Sequence, residues 1–252
     1  VLFDEDPQHR GLLVIEQNVR TGVVDETETV SLIFTANRQH RKLDLTDTSS
    51  LKQFIVFVGH GMWHIWIGLD HILFLITLVL ASVLKRNEGR WEPVTEFRPA
   101  LINIAKIVTL FTIAHSITLS LAALGLAEFP SRFVESVIAA TVLLAAINNV
   151  YPIFKGWTWS IIFAFGLFHG FGFASVLGHL TFNQTSLVRT LLGFNVGVEL
   201  GQLAVICVAF PLAFALRKQV FYDSVVLKLG SSVVAVVALL WFVERAFDVQ
   251  FR

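Results

Sequence analysis

The chain has 252 residues, 55% hydrophobic and only 15% charged, with a mean hydropathy of +0.69. Lys plus Arg and Asp plus Glu number 19 each, so the formal charge is zero and nothing in the balance points to nucleic acid or an anionic substrate. The apolar residues fall in long blocks instead of the short runs of a soluble core, the pattern of an all-α polytopic membrane protein surrounded by lipid.

The first fifty residues differ from the rest. GLLVIEQ (11–17) and TVSLIFTA (29–36) alternate apolar and polar residues as strands do, with charges scattered between them. They predict a small β-rich segment outside the bilayer over 1–50, followed by a helical membrane domain over 51–252. A piece this short buries little core by itself. It is therefore expected to be a cap on the membrane domain or part of a larger N-terminal extracytoplasmic region, with a protein partner there as the alternative.

Six apolar blocks follow: Phe54 to Leu84, Leu101 to Leu126, Phe133 to Tyr151, Trp157 to Leu180, Leu187 to Leu216 and Val225 to Phe247. Each approaches or exceeds the ~20 residues that a spanning helix needs, which predicts about six transmembrane helices. The first block is too long for one upright span, and Gly68 interrupts it just before Asp70. The expectation there is an interfacial or re-entrant helix through His64, a bend, and then the span proper. Lys85, Arg86, Arg90, Arg98 and Lys106 follow the first block, Lys155 the third, and Arg217 and Lys218 the fifth. The positive-inside rule makes those connections cytoplasmic and both termini extracytoplasmic, as in a bacterial inner-membrane protein. The single cysteine, Cys207, lies within the fifth block, which excludes an intrachain disulfide and leaves it as core filler.

That topology gives the polar residues inside the blocks a meaning. GHGMWHIWIGLDH (59–71) puts His60, His64, Asp70 and His71 at the head of a hydrophobic run. His115, His169 and Glu199 fall at a similar depth in the second, fourth and fifth blocks. Ionisable groups beside hydrocarbon are costly unless they bind something, so His71, His115, His169, Asp70 and Glu199 form the expected central site. Asn195, Glu199 and Gln202 recur at i, i+4 and i+7 and make one polar stripe; Thr112, His115 and Ser116 make another. Lipid would penalise either stripe, so the two should face each other. His60 and His64, one turn apart, are either an outer docking point or interfacial residues beside Trp63 and Trp66. On the inner halves Asn148, Asn149 and Thr109 are the main polar groups. Gly193, Gly197 and Gly201, and also Gly166 and Gly170, are spaced by four and read as small faces for close helix packing. Glu135 and His179 sit near block ends as rim residues, and Asn183 to Thr185 matches a glycosylation sequon too short to carry weight.

GMWHIWIGLDHILF, FTIAHSITLSLAAL, FGLFHGFGFA and FNVGVELGQL resemble, in order, the signature segments of the HupE/UreJ family, in its branch with an extracytoplasmic N-terminal region. The resemblance covers roughly Leu51 to Phe247. It implies nickel or cobalt uptake, or accessory functions for hydrogenase and urease, and it matches Gly68, Asp70 and His71 to the family's histidine and aspartate signature. The sequence has HIWIGLDH where nickel permeases of the family typically carry a proline after the leading histidine.

The residue chemistry points to a metal in its own right. Neutral imidazole with a nearby carboxylate suits divalent Ni, Co, Zn or Fe. One methionine and no thiolate cluster argue against Cu(I). Two functions fit such a site. One is a metal permease that captures the ion from outside and releases it inward by alternating access. The other is a metal-dependent membrane enzyme acting on a lipid or peptide at the outer leaflet.

Overall fold

A computed structural model describes residues 11–14, 17–18, 23–24, 30–34, 50–87, 90–151, 153–154, 159–172 and 184–249. Lys155, His179 and Asn183 lie outside these described residues. In the N-terminal segment β1 (Gly11–Val14) pairs antiparallel with β4 (Val30–Phe34), and β2 (Gln17–Asn18) with β3 (Val23–Val24). The two alternating stretches therefore do pair as strands, with a register irregularity between Leu13 and Val14.

The first apolar block is two helices, α1 (Ser50–Ile67) and α2 (Leu69–Ser82), bent by 73° at Gly68. A β-hairpin follows, β5 (Leu84–Asn87) with β6 (Arg90–Pro93), which carries Lys85, Arg86 and Arg90. By charge alone this stretch is a basic loop, and Asn87 and Gly89 between two short runs are its turn signal. Then come α3 (Phe97–Ala123), α4 (Ser131–Val150), α5 (Trp159–Gly172), α6 (Gln184–Leu216) and α7 (Gly230–Phe247), the last entered through a π-helical stretch, Tyr222–Leu229. In that stretch Lys228 Nζ donates to Asp223 Oδ2 at 2.7 Å, a pairing five residues apart that suits the wider π turn.

Four of these helices are long and apolar enough to cross a bilayer, and the bent pair makes a fifth span if counted as one. The described part of α5 has 14 residues, about 21 Å at ~1.5 Å per residue, and falls short of a ~30 Å hydrocarbon core. Outward faces are apolar, with Ile113 and Ile117 on α3, Val208 and Leu212 on α6, and Val233 and Val236 on α7 all exposed.

Between lipid and helix there is little hydrophobic gain from association, so packing depends on close backbone approach. The helices pair as α1 with α6, α3 with α5 and α4 with α7, and α2 runs through the middle, touching α1, α3, α4, α6 and α7. The glycine faces make the first two pairs possible. A Cβ at Gly61 would stand 2.0 Å from Phe194 O, and one at Gly197 would stand 2.1 Å from Val58 O. On α5, a Cβ at Gly166 would meet Phe111 O at 2.5 Å and one at Gly170 would meet His115 O at 2.3 Å. The third seam is polar. Asn149, fully buried on α4, donates to Thr77 O at 2.9 Å and to Ser231 Oγ at 3.0 Å, tying α4 to α2 and α7.

Candidate metal centre

The site begins with the break at Gly68. Its ψ of 94° takes it out of the helical region, and α2 starts afresh at Leu69 with Asp70 in its first turn, where the helix dipole favours a carboxylate. Any side chain at this position would collide, since a Cβ would lie 2.7 Å from His71 Nδ1 and 2.9 Å from His64 O. The glycine thus lets the last turn of α1 and the first turn of α2 fold onto one another. His64 and His71 meet there edge to face, ring centroids 4.7 Å apart.

His115 enters from α3. One ligand nitrogen each from His64, His71 and His115 can be chosen so that all lie within 4.8 Å of one another. His71 and His115 are buried, and His64 is partly so. Nitrogens bound at ~2.0–2.1 Å to one tetrahedral ion would stand roughly 3.3 Å apart, so closing on a metal needs a contraction of roughly 1.5 Å at most.

Hydrogen bonding decides which lone pairs are on offer. Asp70 Oδ1 accepts from the His71 backbone N–H at 2.9 Å and lies 3.0 Å from His71 Nδ1. A carboxylate can only accept, so Nδ1 carries the proton and Nε2, buried with no hydrogen-bond partner, keeps its lone pair. This is the carboxylate–histidine arrangement that orients a metal ligand and raises its basicity. His169 on α5 follows the same logic. Thr141 Oγ1 gives its one proton to Ile138 O at 2.7 Å, so it accepts from His169 Nε2 at 3.0 Å and leaves Nδ1 as the free lone pair. The His169 ring lies 5.2 Å from that of His71, beside the three-histidine cluster. Neither ring nitrogen of His115 has a hydrogen-bond partner of normal geometry, although the Asn195 side chain approaches this ring.

Not every expected residue joins the cluster. His64, read as half of an outer dock, is one of its members, whereas His60 lies a turn back on α1 against Phe57. The polar stripes of α3 and α6 do face each other. Thr112 Oγ1 lies 2.9 Å from Gln202 Oε1, and Thr109 Oγ1 donates to Glu199 Oε1 at 2.6 Å. Glu199 therefore sits beside Thr109, six residues from His115 along α3, or roughly 9 Å at ~1.5 Å per residue. Ser116 turns back to its own helix at Thr112 O, 2.7 Å away. Asn148 and Asn149, expected to line an inner path, are engaged elsewhere. Asn148 Oδ1 accepts the backbone N–H groups of Ile153 and Phe154, and Asn149 ties three helices together. Glu135 is at the rim, its backbone carbonyl accepting from Arg245 and its carboxylate 3.8 Å from Arg245 Nε.

Three phenylalanines outside the polar stripes form a cluster against the histidines. Phe74, Phe111 and Phe165 form an aromatic floor beneath the histidines, with Phe74 5.2 Å from Phe111 and 6.1 Å from Phe165 by ring centroid. Phe111 lies 5.0 Å and Phe74 5.6 Å from the His169 ring. A signal was present. Phe74 follows His71 by three, while Phe111 and Phe165 precede His115 and His169 by four, so each histidine has a phenylalanine one turn along the same face.

The family model described as HupE / UreJ protein matches residues 39–245, most of the chain, and the protein belongs to that family of membrane proteins. No curated protein and no solved structure matches the chain.

Proposed function

We propose that this protein is a membrane permease for a divalent transition metal of the nickel or cobalt type, which it takes up from the extracytoplasmic side. The observation that carries the reading is a trio of imidazoles from three helices, within 4.8 Å of one another, at the break of a broken span. Transporters commonly build ion sites at such breaks, because interrupted helices expose backbone and side-chain donors inside the bilayer. His64, His71 and His115 would bind the ion as cargo, His169 adds a fourth nitrogen beside them, and Asp70 supplies charge compensation through His71. Nitrogen donors without thiolate suit Ni, Co, Zn or Fe, and the family's association with nickel and cobalt narrows the preference. Both termini would lie outside, since the hairpin with Lys85, Arg86 and Arg90 and the turn with Arg217 and Lys218 carry the basic excess.

One observation favours the second reading, a metal-dependent membrane enzyme. Phenylalanine rings back the histidines, and a catalytic centre, unlike a permease, needs access from one side only. Purified protein in liposomes loaded with a metal-sensing dye decides between them. The permease should pass Co²⁺ or Ni²⁺ inward, and His71→Ala should abolish the flux. Wild-type vesicles that bind Co²⁺ tightly yet pass none would sink the permease and leave the enzyme.

A further inference from the structure

We infer that the seam between α3 and α6 holds a second cation station, lined by oxygen and centred on Glu199, separate from the histidine cluster and next to it on the way in. The inference rests on the permease reading for its purpose, and on the following geometry for its existence.

Asn195, Glu199 and Gln202 form one stripe on α6 and meet Thr109 and Thr112 of α3. Glu199 Oε1 is satisfied by the Thr109 hydroxyl, but Glu199 Oε2 is sealed from solvent with no hydrogen-bond partner among the described residues, whereas Asn195, one turn back, turns its side chain to His115. Buried acceptors left unmatched within a bilayer are costly, and a carboxylate most of all. A bound cation would satisfy the free Glu199 oxygen and neutralise the carboxylate together.

The position suits a relay. Asn195 approaches His115, and Glu199 lies one turn further along α6, roughly 6 Å at ~1.5 Å per residue. Its partner Thr109 is two residues beyond Phe111, so the carboxylate is already level with the aromatic floor that blocks the direct route. The chemistry suits release. Oxygen donors hold late first-row divalent ions less tightly than imidazole, and conduction needs a second position weak enough for the ion to leave.

Binding of Mn²⁺, an ion with a preference for oxygen, tests this on detergent-purified full-length protein by electron paramagnetic resonance, with Co²⁺ absorption reporting the histidines. The double variant His71→Ala/His115→Ala should still bind one Mn²⁺. Adding Glu199→Gln should weaken that binding at least about tenfold, and Glu199→Asp should restore part of it. In the otherwise native protein Glu199→Gln should leave Co²⁺ affinity within about threefold and cut Co²⁺ flux by about tenfold or more. Mn²⁺ binding indifferent to Glu199→Gln overturns the station. So does a loss of Co²⁺ affinity equal to that of His71→Ala, which would place Glu199 in the histidine site. If wild-type vesicles pass no metal while Mn²⁺ binding still depends on Glu199, the permease reading fails and the station stands.

Discussion

At the scale of single residues, the centre is governed by which proton each imidazole keeps. Asp70 holds His71 with Nε2 available, and Thr141 holds His169 with Nδ1 available. Partners of this kind are worth about 10–100-fold in metal affinity. Asp70→Asn should therefore weaken Co²⁺ binding by roughly that factor, and Thr141→Val should weaken it less, since His169 lies beside the trio instead of within it. Titration of the visible Co²⁺ absorption measures both, and an unaltered affinity in Asp70→Asn would remove the carboxylate from the site. Asp70 and His71 were legible in the sequence as ionisable groups next to hydrocarbon. Thr141 was not, because a threonine on an apolar helix is silent until its partner across the seam is known.

Elements set the distances between those residues. Gly61 and Gly197 bring α1 against α6 so closely that backbone meets backbone, and that contact delivers His64 to His71. Gly197→Leu should push the helices apart, lower the thermal midpoint, and weaken Co²⁺ binding together with it; a destabilised protein with native affinity would show that α1 does not position His64. The floor gives a contrasting outcome. Phe111 and Phe74 are about 2% and 1% exposed and pack on the His169 ring without offering a donor or acceptor, so Phe111→Ala combined with Phe74→Ala should leave affinity near native. In vesicles holding an impermeant chelator inside, bound Co²⁺ should then be stripped from the inner side far faster than in wild type. Equal stripping rates would mean that the floor is not the inner barrier. The glycine spacing was readable in advance as a packing face, as was the break at Gly68. Which helix each glycine face receives follows only from the fold, since a spacing of four names a face and not its neighbour.

For the whole molecule, loop charge sets the orientation and the polar third seam contributes stability. Cysteines placed at Arg90 and Lys218 should be labelled only from the cytoplasm and one at Thr185 only from outside, because basic residues favour the inner loops. The opposite labelling would reverse the direction of uptake. Asn149→Leu removes bonds to Thr77 and Ser231 that join α4 to α2 and α7. Its expected effect is a loss of about 1 kcal/mol in stability with metal flux unchanged, readable from thermal unfolding beside a flux assay. A native melting curve with reduced flux would return Asn149 to the conduction path.

Amphipathic period, block length and loop charge are local properties of a chain in lipid, and they determined the helical membrane class, the break before Asp70, the strands near the N-terminus and the two polar stripes. Assembly of the centre is not local. His64 leaves His60 for His71 because a 73° bend turns one helix end over the next. Glu199 stops at Thr109 because the two stripes meet in one register and not another. Asn148 and Asn149 look like a polar path until the Asn148 oxygen takes the backbone N–H groups of Ile153 and Phe154 and the Asn149 amide nitrogen bonds to Thr77 and Ser231. In each case the identity of a residue was plain from the sequence, and its partner was decided by how the helices cross.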